Sequence, residues 1–148
     1  MTEVKLDSHT IALERDGKIF FNEEFLSDDP IIRAKMNAKL DNMVETGWMP
    51  KHTTNPRLFI WRHESAHTIW NYIKMNEPEL GIKISDIILV AARDGVLAEF
   101  SKHSASENLS EAFADAYASI YAVDPDFQPF FVRLIHQLLK ENGIPVKD

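Results

Sequence analysis

Apolar residues recur along this chain with two different spacings. Near the start, Ile11-Ala-Leu-Glu and Lys18-Ile-Phe-Phe are short β-forming runs on either side of Arg15-Asp16-Gly17, which predicts a β-hairpin with a glycine-containing turn. After that the spacing becomes helical. Ser27-Asp28-Asp29-Pro30 places short polar caps before a first-turn proline, predicting a helix over 31–45 with Ile31, Ile32, Met36, Leu40 and Met43 near one face and Gly47 as its stop. Asn55-Pro56 opens a second helix that runs through Leu58, Trp61, Ala66, Trp70 and Ile73 and fails before Pro78.

The stretch 82–100 begins Ile82-Lys-Ile-Ser-Asp-Ile-Ile-Leu-Val and fits either a strand or a short helix. A third helix is predicted from about Ala105 to Ala122, introduced by Ser104 or Ser106. A fourth follows Asp124-Pro125, carries Phe130, Phe131, Leu134, Leu138 and Leu139, and ends at Gly143 before Pro145. No repeat or linker divides the chain, so the pattern predicts one α+β domain over 1–148, mainly helical with a small β-sheet.

Composition narrows the chemistry. The chain has 148 residues, a formal net charge of −7 and no cysteine. The acidic balance argues against nucleic acid and against anionic membranes as partners. Without cysteine there is no disulfide scaffold, no thiol nucleophile and no sulfur-ligated zinc. Any metal site must use His, Glu and Asp.

Such a site is suggested inside the second helix. Arg62-His63-Glu64-Ser65-Ala66-His67 contains the HExxH pattern. Histidines at i and i+4 lie on one helical face, so His63 and His67 can converge on one Zn²⁺ ion, leaving room for a third protein ligand and a water. Glu64, beside the first histidine, can reach that water as general base. The competing reading is two polar residues on a solvated face, and flanking Trp61, Ile69 and Trp70 weigh against it.

The third ligand is sought among the acids of the third helix. Glu107, Glu111 and Asp115 recur every four residues and share one face. Like charges at this spacing repel unless a cation or hydrogen bonds offset them. Glu107 also completes a Ser104-x-x-Glu107 capping box, a structural role for the same residue. His9, His52 and His136 lack metal-ligand spacing and are expected to be structural or solvent-exposed. Trp48, Trp61 and Trp70 are expected in the core.

Together, His63-Glu64-Ser65-Ala66-His67 and the later Glu107-x-x-x-Glu111-Ala-Phe-Ala resemble the zincin metallopeptidases of the gluzincin type. The likeness is to the group that includes the catalytic domain of anthrax lethal factor and small phage- or prophage-encoded zincin-like proteins, and it covers roughly residues 57 to 121. It implies a compact zincin-like domain with HExxH on a central helix and the third ligand on a following one. His63 and His67 would be ligands, Glu64 the general base, Glu107 the third ligand, and Glu111 the acid that orients a ligand histidine. A rival register makes Glu111 the ligand and Asp115 the orienting acid; the Ala112-Phe113 pair favours the first.

The sequence departs from the family in having Ala66 where a glycine is common, and in lacking a tyrosine before the third ligand. His103 in Phe100-Ser101-Lys102-His103-Ser104 is the side chain of similar polarity there, either a transition-state stabiliser or an exposed loop histidine. The resemblance implies a zinc-dependent peptidase with a peptide or protein substrate, or a catalytically silent protein of the same fold in a phage particle or toxin system. Neither a signal peptide nor a membrane-spanning run is visible, so the expected location is cytoplasmic or virion-associated.

Overall fold

The computed structural model describes residues 11–148 apart from 16–17, 103 and 105–107. The predicted hairpin is present: β1 (Ala12–Arg15) pairs antiparallel with β2 (Lys18–Phe21), Ala12 opposite Phe21 and Arg15 opposite Lys18. Its turn residues Asp16 and Gly17 lie outside the described residues. A backbone bond from Asn22 N–H to Ile11 O (2.7 Å) closes the open end, and the Asn22 side chain caps the short helix α1 (Glu23–Leu26).

Helix α2 (Pro30–Glu45) starts as its caps predict, with the Asp29 carboxylate accepting from the N–H groups of Ile31 and Ile32. Its buried stripe begins one turn later than expected. Met36 and Leu40 are buried, whereas Ile31 and Ile32 face water. Gly47 follows with φ of +86°, the left-handed backbone that favours glycine.

Helix α3 (Pro56–Asn76) is capped by Asn55 and buries Phe59, His63, Ala66, Trp70 and Ile73, a 4-3-4-3 spacing that makes one helical stripe. Trp61 falls off that stripe, and here the expectation of a core tryptophan fails. It is 47% exposed and stacks on Phe21 (centroids 5.1 Å apart), while Trp48 is 45% exposed. Only Trp70 of the three is buried.

The ambiguous stretch is helical. α4 (Pro78–Arg93) buries Leu80, Ile84, Ile88 and Ala91, and α5 (Val96–Phe100) follows after Gly95, whose φ is +79°. Helix α6 (Leu109–Ala122) is capped by Asn108, whose side chain accepts from Glu111 N–H, and not by Ser104. Ala105 and Ser106 lie outside the described residues. Asp124-Pro125 opens a 3-10 turn (Pro125–Phe127), and α7 (Phe130–Glu141) begins only after Pro129. Phe130 is exposed, and the buried stripe of α7 is Phe131, Val132, Ile135 and Leu139.

The fold is therefore mainly helical, with a two-stranded hairpin as the sheet found among the described residues. α6 is its axis. It packs along α3 and against α4 and α7, and ten of its residues are buried. The larger apolar cluster joins α3, α4, α5, α6 and α7; a smaller one joins Ile11, α1, α2, Phe59 of α3 and the end of α6. His63 lies one turn from Phe59 in the smaller cluster and about one turn from Ala66 in the larger. No described helix is long and apolar enough to cross a membrane.

Candidate metal centre

Two antiparallel helices with matching four-residue repeats build the site. Thr54, just before α3, bonds through both N–H and hydroxyl to Ala122 O at the end of α6 (2.7 and 3.0 Å). Further along, Trp70 stacks on Phe113 with centroids 4.8 Å apart. Between these anchors small residues are buried on both helices, among them Ala66 on α3 and Ala118 on α6. Small side chains let the helix axes approach, so short carboxylates on α6 reach imidazoles on α3.

His63 is the centre of the arrangement. Its Nδ1 lies 2.7 Å from Asp115 Oδ1 and its Nε2 lies 2.9 Å from Glu111 Oε2. One turn on, His67 Nε2 is 3.3 Å from Glu111 Oε1, and its Nδ1 is 2.9 Å from Ser110 Oγ. The two rings meet edge to face with centroids 5.1 Å apart. Ligand-capable atoms of His63, His67 and Glu111 all lie within 4.8 Å of one another. Glu64 Oε1 approaches the same corner, 4.0 Å from His63 Nε2. A cavity of about 240 Å³ opens beside it, lined by Met43, Trp48, Phe59 and Ile60 and reaching His63 and Glu64.

Asp115 has no exposure to solvent, and a carboxylate so placed is costly unless its oxygens are hydrogen-bonded. Its Oδ1 takes the His63 contact, and its Oδ2 accepts from Ser101 Oγ and Ser104 Oγ, each at 2.7 Å. Burial alone pushes the His63 pKa down. The hydrogen bonds to Asp115 and Glu111, with the negative charges of Asp115 and Glu64, outweigh it and raise the value to about 10. Without a cation, the raised value favours an imidazolium that donates from both ring nitrogens.

The expected residues His63, Glu64, His67 and Glu111 are thus brought together. Glu107 and His103 lie outside the described residues. Within them, Glu111 sits between both imidazoles and Asp115 sits on Nδ1 of His63, the positions that the rival register of the resemblance implies for these two acids. His52 stacks on Phe127 and His136 Nε2 contacts Lys147 O at 2.6 Å, away from the centre; His9 is not among the described residues. Ser101, Ser104 and Ser110 were not expected here. The signal for Ser101 and Ser104 is indirect: an acid on a mostly buried helix needs donors, and these are short hydroxyls near it in sequence.

No known protein family, curated protein or solved structure matches this chain. Two imidazole nitrogens and a carboxylate, with no thiolate, form a donor set suited to Zn²⁺ and to other first-row divalent ions. Each histidine has its second nitrogen engaged, by Asp115 for His63 and by Ser110 for His67, as ligand histidines commonly do. The residues fit a metal.

Proposed function

We propose that this protein is a zinc-dependent peptidase with a compact zincin-like domain, holding one Zn²⁺ through His63, His67 and Glu111. The observation that carries the reading is the convergence of those three side chains within 4.8 Å, with Glu64 facing the same corner. When bound, the cation supplies Lewis acidity and allows water to act as a nucleophile near neutral pH. Asp115 keeps the His63 proton on Nδ1, so the lone pair used for binding is on Nε2; Ser110 Oγ can accept the Nδ1 proton of His67 in the matching tautomer. Glu64 takes the proton of the attacking water at its carboxylate and passes it to the leaving amine nitrogen. The cavity beside Glu64, largely walled by Met43, Phe59 and Ile60, offers a place for a peptide substrate to rest.

Glu64→Gln tests the reading most directly. The variant keeps a carbonyl oxygen but cannot take a proton, so it should retain one equivalent of zinc and lose at least about 100-fold in kcat/KM on a fluorogenic peptide library. A variant that cleaves as fast as the parent removes Glu64 from the reaction. A parent that keeps under about a tenth of an equivalent of zinc, purified without chelator, removes the metal. Glu111→Gln against Glu107→Gln, compared by zinc affinity, decides which acid is the third ligand.

A further inference from the structure

Behind the metal centre lies a buried hydroxyl pair that converges on one carboxylate. Ser101 and Ser104 are each 2% exposed. Their oxygens are 2.8 Å apart, and each is 2.7 Å from Asp115 Oδ2. Ser101 Oγ also accepts the backbone N–H of Ser104 at 3.0 Å, and Ser101 N–H is held by Leu97 O. The Ser101 proton can go to a neutral hydroxyl or to a carboxylate; the charged acceptor makes the stronger bond. Both protons therefore point at Oδ2, and Oδ1 is left to His63.

We propose that Ser101 and Ser104 are positioning residues of the metal centre: together they lock the Asp115 carboxylate plane, and through it the direction in which His63 Nε2 points. The proposal rests on the zinc reading above and deepens it. A carboxylate held at one oxygen only can turn about its Cβ–Cγ bond, carrying the imidazole with it. Two donors on Oδ2 remove that freedom. The pair is itself anchored, because Lys102 N–H, between the two serines, donates to Gly47 O at 2.8 Å. Lys102 Nζ also lies 5.9 Å from the centre of the Trp48 ring, which lines the cavity beside Glu64. One short segment thus fixes the rear of the metal centre and borders the front.

The test compares zinc affinity, by competition with a chromogenic chelator, for the parent, Ser101→Ala, Ser104→Ala and the double variant. Outer partners of metal ligands contribute roughly 10- to 100-fold in affinity, so the double variant should weaken zinc binding about 10-fold and each single variant about threefold. Ile135→Val, in the core on α7 and fully buried, is the control for general loosening. It should lower the melting midpoint and leave zinc affinity unchanged. The Co²⁺-loaded double variant at saturating metal should have a visible absorption band displaced from the parent's, reporting altered ligand geometry. If the double variant does not fold, the two single variants decide. A parent that binds zinc while the serine variants match it in affinity and cobalt spectrum overturns the positioning role and leaves the zinc reading standing. A parent that binds no zinc overturns both.

Discussion

Helices α6 and α7 are neighbours of similar length, 14 and 12 residues, and they treat charge in opposite ways. On α7 the apolar side chains Phe131, Ile135 and Leu139 form one stripe, while Arg133, Lys140 and Glu141 lie in water. Its charged groups are open to water even where Arg133 donates to Pro125 O and Glu141 accepts from Gln137. α6 is packed on several sides, and ten of its residues are buried. Its acids have no comparable solvent face, so Asp115 is buried and Glu111 half-buried, and both turn to His63. The difference teaches where chemistry can arise. A charge on an amphipathic helix is solvated by water, whereas a charge on an enclosed helix must be solvated by the protein, and the groups that do so form a site.

The contrast between the two helices is greatest at Asp115. Asp115→Ala leaves the buried His63 imidazole and two serine hydroxyls without their acceptor. Breaking a buried charged pair from one side costs about 3–5 kcal/mol, which urea unfolding of the metal-free protein should register. Zinc affinity should fall about 10- to 100-fold in the same variant if it is refolded at low temperature. A loss under about 1 kcal/mol would place Asp115 among ordinary surface acids and dissolve the contrast with α7.

A second way to sharpen it uses pH. The folded pKa of His63 is raised to about 10, above the ordinary imidazole value of 6.5. Its contribution to stability is therefore fully present below about pH 6.5 and is lost as pH rises through about 10. The metal-free protein should melt at progressively lower temperature between pH 7 and about 9.5, and Asp115→Asn, which removes the principal partner, should flatten that slope. Binding reverses the proton's place. His63 must give up its Nε2 proton to act as a ligand, so zinc uptake at neutral pH should release about one proton from this residue. Calorimetry in two buffers of different ionisation enthalpy measures it, and zero release would contradict an imidazolium at His63.

How much of this was legible along the chain follows from how local each feature is. The pair His63/His67 depends only on helical repeat, and the caps Asp29-Pro30 and Asn55-Pro56 only on adjacent residues; the two caps are found as expected, and the two histidines lie side by side on α3. The choice between acids at 107, 111 and 115 could not be local. Acids four apart share a face, and only the registration of α3 on α6, fixed by Thr54 at one end and the Trp70–Phe113 stack at the other, brings Glu111 level with both imidazoles. The same holds for Ser104, a good cap by type whose hydroxyl is instead drawn to Asp115, leaving Asn108 to cap the helix. For 82–100 the apolar run fits two periods at once, and tertiary packing of Leu80, Ile84 and Ile88 decides for the helix. Hydrophobicity alone does not place Trp61: it sits off the Phe59–His63–Ala66 stripe, where Phe21 of the hairpin stacks on it.

The smallest effect is expected at Lys140, and salt turns it into the finest probe of the contrast. Lys140 is exposed in the last turn of α7, where a positive charge complements the carbonyl end of the helix by about 0.3–1 kcal/mol at low ionic strength. Lys140→Ala should cost that much in dilute buffer and almost nothing in about 1 M salt, where the screening length shrinks to roughly 3 Å. The Asp115→Ala loss should survive the same salt, because the ions cannot enter between Asp115 and His63. Denaturation of both variants at two salt concentrations therefore separates a charge held by water from a charge held by protein. Equal salt sensitivity at the two positions would mean that the interior of α6 is wetter than its packing implies.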